Sequence, residues 1–327
     1  MKWPLLKVKN VLFCAGVALL SLSVQAQNAY PEKSIRMVVP YNAGGGTDVL
    51  ARAIAVGAGK ILKQSIVVDN RPGASGMIGA DYVAKAAPDG YTILMTAADT
   101  HSVNPHVFPN ISYNALKDFV PIAQIGLLPY ALVVHPKVAA KNLQEFIALV
   151  KSQPGKLTYA SWGVGSSSQV AMEMLKVMTK LDILHVPFTG AAPAMTAVLA
   201  GQVDSMFVPL SLAVPNAEAG KTVILGLGAP TRFVGAPNIP TLAEQGISLN
   251  TAPWISILGP AQMPQSAVNT LYNAVSEAAK EPQIIDVLTK GGLQIDVLSP
   301  EQFGKVLVSE YERWGATVKA AGIKAEQ

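Results

Sequence analysis

Two glycine-rich stretches hold the residue types with the most chemistry to offer. The first reads Pro40-Tyr41-Asn42-Ala43-Gly44-Gly45-Gly46-Thr47-Asp48. Three consecutive glycines let the backbone approach a ligand closely. The helix expected to follow offers free N–H groups and the positive end of its dipole. Tyr41, Asn42, Gly44, Gly45, Gly46, Thr47 and Asp48 are therefore candidates for holding an anion without any basic side chain. The same residues also read as a plain tight turn with Thr47 as N-cap. The spacing is not the G-x-G-x-x-G of a dinucleotide site, and no Gly-Lys-Ser/Thr follows as in a P-loop.

The second stretch is Ser161-Trp162-Gly163-Val164-Gly165-Ser166-Ser167-Ser168-Gln169. Gly163 and Gly165 free the backbone, and Ser166, Ser167 and Gln169 fall at an expected helix start. Hydroxyls and amides converging there suit a carboxylate; alternatively, a serine merely caps its own helix. Two such loops in different halves of a chain can face each other across a cleft, a stronger signal than either alone. No serine has the G-x-S-x-G context of a nucleophile elbow.

The remaining inventory is thin. His101, His106, His135 and His185 show no metal-ligand spacing, so neither a metal nor a cofactor is expected. Thr100 and His101 follow a strand end, where binding loops sit. Asp204 reads as a loop cap or a cleft residue. Trp162 and Phe188 lie at strand-to-loop exits, where an aromatic ring lines a cleft or packs in the core.

The positioning elements read as alternating strands and helices. Apolar runs at 35–39, 66–68 and 92–95 alternate with helical spacing over 47–64 and 78–87, which predicts a parallel sheet covered on both faces. A second series starts with a strand at 131–135. Its helix opens on Asn142-Leu143-Gln144-Glu145, which reads as a capping box. Strands follow at 157–160, 183–186, 206–208 and 223–227. After 255–258, three helical stretches close the chain, the last opening on Ser299-Pro300-Glu301-Gln302.

The chain has 327 residues, half of them apolar and 14% charged, with a formal charge of +4. This excludes a disordered chain and, with no run of five like charges, argues against a nucleic-acid binder. Lys2, Lys7 and Lys9, the apolar stretch Val11–Val24 and the small residues Val24 and Ala26 read as a signal peptide cleaved after Ala26. The stretch is shorter than the roughly 20 apolar residues that span a bilayer. Its removal lowers the charge to +1 and takes away Cys14, the one cysteine. The mature chain is expected in the periplasm as a monomer stabilised by core burial.

Several short motifs, in order, carry a resemblance. They include Tyr30-Pro31-Glu32-Lys33, the Tyr41–Asp48 loop, Asn70-Arg71-Pro72-Gly73, Pro88-Asp89-Gly90-Tyr91-Thr92, Gly163-Val164-Gly165-Ser166, Gly201-Gln202-Val203-Asp204 and Pro240-Thr241-Leu242-Ala243-Glu244. Together they resemble the Bug family, the substrate-binding receptors of tripartite tricarboxylate transporters. The resemblance implies a type II periplasmic-binding-protein fold, with two α/β lobes closing on an organic acid. It implies that the two glycine-rich loops hold one carboxylate, and that the partner is a membrane permease. The lobes are expected at 27–126 plus 256–327, and at 127–255. The family usually carries His where this chain has Gln169, and Tyr-Lys where it has Phe188-Thr189. Both differences remove a cation, which favours a mono- or dicarboxylate with an apolar or aromatic body. A periplasmic enzyme using Ser166–Ser168 or Asp99 and His101 is the rival reading; no nucleophile in the sequence has an orienting partner.

Overall fold

The computed structural model describes residues 30–324. The expected signal peptide, with its cleavage site, lies outside the described residues.

The first α/β series is β1 (Ile35–Val39), α1 (Gly46–Leu62), β2 (Ile66–Asn70), α2 (Met77–Ala84) and β3 (Thr92–Ala97). β1 pairs in parallel with β2 and β3. Met37, Val38 and Val39 are fully buried, because helices cover both faces of the sheet. Leu50, Ile54 and Ala58 recur at helical spacing on the buried side of α1.

The chain then runs through α3 (Asn104–Val107), β4 (Phe119–Leu127) and β5 (Tyr130–Val134). A second series follows: α4 (Leu143–Ser152), β6 (Thr158–Ser161), α5 (Ser167–Thr179), β7 (Leu184–Pro187), α6 (Ala191–Leu199), β8 (Ser205–Pro209), α7 (Leu210–Glu218) and β9 (Val223–Leu227). It ends with β10 (Trp254–Pro260), α8 (Gln265–Ala278), α9 (Pro282–Lys290), β11 (Gln294–Leu298) and α10 (Pro300–Ala321).

Two sheets result. One has the order β11-β4-β10-β3-β1-β2, the other β7-β6-β8-β5-β9. Each is mixed rather than purely parallel: β10 runs antiparallel to β3 and β4, and β5 antiparallel to β8 and β9. The closing stretch holds three helices as expected, but β11 is inserted between the last two. α8 packs on α1 at Gly57, where an added Cβ would lie 2.8 Å from the Ala278 Cβ. α10 crosses toward the second sheet and buries Trp314 and Val318 with Val170 of α5.

The side-chain caps follow the sequence closely. Ser299 and Gln302 form a reciprocal capping box at α10. At α4, Asn142 Oδ1 accepts the Glu145 amide, but the Glu145 carboxylate accepts the Lys141 amide and the Asn142 side-chain amide rather than the Asn142 backbone N–H, so the expected box is only half formed.

Candidate functional site

A cavity of about 410 Å³ opens where strands of both sheets end. Pro40 and Tyr41 follow β1, Ala97 ends β3, Trp162 follows β6, Phe188 follows β7, and Pro209 ends β8. Open α/β sheets bind ligands in this position, beyond the carboxyl ends of their strands.

The Tyr41–Asp48 loop forms one wall: Tyr41, Asn42, Gly44, Gly45, Gly46 and Thr47 all line the cavity. Asp48 does not. It is buried behind the loop, where its Oδ2 accepts the Gly44 amide at 2.8 Å and Arg52 Nε at 3.0 Å, and its Oδ1 accepts Asn70 Nδ2 at 2.9 Å. Burial pushes the carboxyl up, but those bonds outweigh it and hold it below the usual carboxylate range. Asp48 therefore fixes the loop from outside the cavity. The α1 helix has Gly45 as N-cap with no side-chain cap, so the amides of its first turn have no capping side chain.

The second loop departs from expectation. Trp162, Gly163 and Ser166 line the cavity; Gly165, Ser167 and Gln169 do not. Several amides of this loop and helix start are already engaged by the protein itself. Gly165 N–H donates to Gln169 Oε1 at 2.8 Å, Ser166 N–H to Gly163 O at 3.1 Å, and Gln169 N–H to Ser166 Oγ at 3.4 Å. Ser167 N–H donates to the Asp99 carboxylate. The start of α5 is thus already filled by a carboxylate of the protein, and Ser166 caps the helix.

Two other helix starts take the place expected for α5. α6 begins at Gly190, Ala191 and Ala192, and α7 at Pro209; all four residues line the cavity, and neither helix has a side-chain cap. Three uncapped N-termini, α1, α6 and α7, therefore meet one space. Phe188 and Thr189 line it beside α6, and Trp162 stands edge-on to Tyr130 at 5.3 Å.

The remaining candidates lie elsewhere. His101 is fully buried against Phe119, 4.3 Å between centroids, with Nδ1 2.7 Å from Thr100 Oγ1. Burial lowers its pKa to about 3, so the ring is neutral and structural. Thr100 is buried between Thr96 and that ring. Asp204 precedes β8, at the opposite end from Pro209. It accepts the Thr158 amide at 2.8 Å and pairs with Lys137 at 3.1 Å, closing the sheet's other end.

Sequence reasoning missed Asp99 as a lining residue, along with Tyr130, Leu212 and the Gly73–Gly76 turn. In that turn Ser75 holds φ 51° and its hydroxyl donates to Val164 O at 2.8 Å, joining the first series to the second. Tyr130 reads as an ordinary strand residue, and nothing in its spacing separates it from core. Among the described residues no His/Cys/Asp/Glu group could hold a metal ion, and no helix is long and apolar enough to cross a membrane. A shallower hollow of about 660 Å³ near β1 and β2 is lined by Lys33, Arg36 and Arg71. Two of those cations are engaged by Asp69, at 3.3 and 2.9 Å.

Residues 50–323 match the model of the tripartite tricarboxylate transporter family receptor, TctC. The chain belongs to this family. Its relatives include the protein BugT of Bordetella pertussis, 29% identical over 98% of this chain and 99% of BugT. Among solved structures, an R. palustris protein with adipate is 31% identical at a TM-score of 0.87, covering 90% of this chain and all of that one. MatC from Rhodopseudomonas palustris with bound malate is 33% identical at a TM-score of 0.81, covering 88% of this chain and all of MatC. As a TctC receptor the chain has the type II periplasmic-binding-protein fold, two α/β lobes about a central ligand cleft.

Proposed function

We propose that this receptor works in the periplasm, holds an organic carboxylate in the 410 Å³ cavity and presents it to a tripartite-transporter permease, making and breaking no bond. The observation that carries the reading is the convergence of the uncapped starts of α1, α6 and α7 on one cavity. Each helix end favours an anion by roughly 0.3–1 kcal/mol beyond its hydrogen bonds. The adipate and malate in the two related structures agree with this ligand class.

The ligand is a mono- or dicarboxylate with an apolar or aromatic body. Among the described residues no Lys, Arg or His lines the cavity, and a buried charge without a partner costs several kcal/mol. Trp162, Tyr130, Phe188 and Leu212 provide apolar walls for such a body. The lobes divide at 27–126 plus 256–327 and at 127–255, a reading supported by β1–β4, β10 and β11 sharing one sheet and β5–β9 the other. The signal peptide ends at Ala26, and the receptor acts as a monomer.

A thermal-shift screen of organic acids, paired with chromatography of each acid before and after incubation, tests the reading. A receptor gains stability with ligand and returns the acid unchanged. Consumption of the acid would favour an enzyme instead.

A further inference from the structure

Among the described residues Asp99 is the one carboxylate lining the cavity. It is 2% exposed, one oxygen accepting the Ser167 amide and the other the Tyr41 hydroxyl at 3.3 Å. The titratable groups that face it come from every neighbouring element. Tyr41 arrives from the loop after β1. Tyr130 of β5 sits 2.9 Å from Ser167 Oγ, and Tyr113 donates to Thr100 O at 2.6 Å. Burial raises all three phenols far above their ordinary range, so they stay neutral. His101, two residues on, is held neutral by its own burial. Among the described residues, none of the groups facing Asp99 carries a positive charge.

We infer that Asp99 is a specificity-determining residue: an organic anion enters the cavity only as Asp99 takes a proton from solvent, so that cavity and ligand together hold one negative charge fewer. The inference rests on the cavity being the anion site. Two carboxylates sharing a water-poor space cannot both ionise readily, and the second anion raises the affinity of the first for a proton. Burial already shifts Asp99 upward before any ligand arrives, against the pull of its bonds to Ser167 and Tyr41. The network accommodates the proton: Tyr41 can accept from Asp99 and turn its own hydroxyl to Thr96 Oγ1, 3.3 Å away. Acids that bring fewer charges are favoured, and affinity falls as pH rises, because binding takes up a proton.

Calorimetry on the mature protein tests this with benzoate, adipate, malate and citrate at pH 6 and pH 8, in two buffers of different protonation enthalpy. For the acids that bind, we expect uptake approaching one proton at pH 8 and affinity weaker than at pH 6 by about tenfold or more. Asp99→Asn keeps an acceptor oxygen for the Ser167 amide. It should remove both effects and bind at pH 8 at least tenfold more tightly than the wild type. Binding with no proton uptake and no pH dependence would overturn the inference while leaving the receptor reading intact. So would a folded Asp99→Asn protein that no longer binds. If none of the four acids binds the wild type, the anion site itself is refuted and this inference with it. Should Asp99→Asn fail to fold, the wild-type heats in the two buffers still decide.

Discussion

The side-chain nitrogen of Gln169 lies 3.3 Å from Nδ1 of His185, while Nε2 of the same ring lies 2.7 Å from Ser161 Oγ. Gln169 Oε1 already accepts the Gly165 amide, so the end facing His185 is the donor. That places the ring proton on Nε2, donating to Ser161, whose own hydroxyl donates to Gly163 O at 3.1 Å. The imidazole has no free position from which to take a proton from this serine. The pair resembles a nucleophile and base in distance alone; in polarity it runs the wrong way.

His185 should therefore stay neutral in acid. Burial lowers its pKa to about 4, against an opposing pull from Glu173. The folded value lies below the unfolded one, so its contribution to stability is present above about pH 6.5 and is lost as pH falls toward 4. Nitrogen NMR of the ring should show the Nε2–H tautomer down to about pH 4.5, with Tm falling over the same interval. A ring titrating near 6.5, or protonated on Nδ1, would contradict this wiring.

Replacement of Gly45 by Phe should weaken acid binding tenfold or more, because Gly45 lines the cavity at the start of α1. Arg71→Ala should leave affinity within about twofold. Arg71 pairs with Asp69 at 2.9 Å and stacks 3.6 Å over Tyr82, outside the cavity. Calorimetry giving the reverse order would count against a cradle of amides.

Trp162→Ala should reduce affinity for benzoate by about fivefold to tenfold, in line with the ~1 kcal/mol worth of an aromatic pair. Malate, which has no ring to stack, should change less. Citrate should bind more weakly than benzoate or adipate to the wild type. Citrate binding tighter than every other acid in that panel would reject the proposed ligand class.

Ser299→Ala should lower stability by about 1 kcal/mol, since it removes one half of the α10 capping box. Denaturant unfolding reads this directly. An unchanged midpoint would show that α10 is held by Trp314 and Phe303 burial without help from its cap.

The parts of this molecule legible in the sequence are those fixed by local pattern. The apolar run at Ile35–Val39, the helical spacing of Leu50, Ile54 and Ala58, and the Ser299–Gln302 cap each depend on neighbours in the chain. The Tyr41–Thr47 stretch stood out locally as a strand-to-helix glycine turn, but whether it lines a cavity or is a plain tight turn is decided by what faces it. What was not legible depends on distant partners. Gln294–Leu298 pairs as an edge strand only because β4 is there to receive it. The serine-rich start of α5 carries hydroxyls suited to a ligand, yet its amide is taken by Asp99, 68 residues away in sequence. α6 opens on alanine and proline, and α7 follows Pro209 and Leu210 with Ser211 alone, so neither start carries the capping residue that would mark it in the sequence. His101 and Asp204 have the composition of site residues, but burial and a lysine partner account for them.

The proposed binding mode seats a ligand carboxylate on the open amides at the start of α1. A crystal structure of the mature protein grown with whichever of benzoate, adipate or malate binds tightest tests it most directly. A carboxylate is expected within hydrogen-bond reach of the Gly46 and Thr47 amides, directly or through one water, with the ligand body against Trp162 and Phe188. A ligand found instead in the hollow beside Lys33 and Arg36, or in the cavity with its carboxylate turned away from α1, α6 and α7, would contradict it.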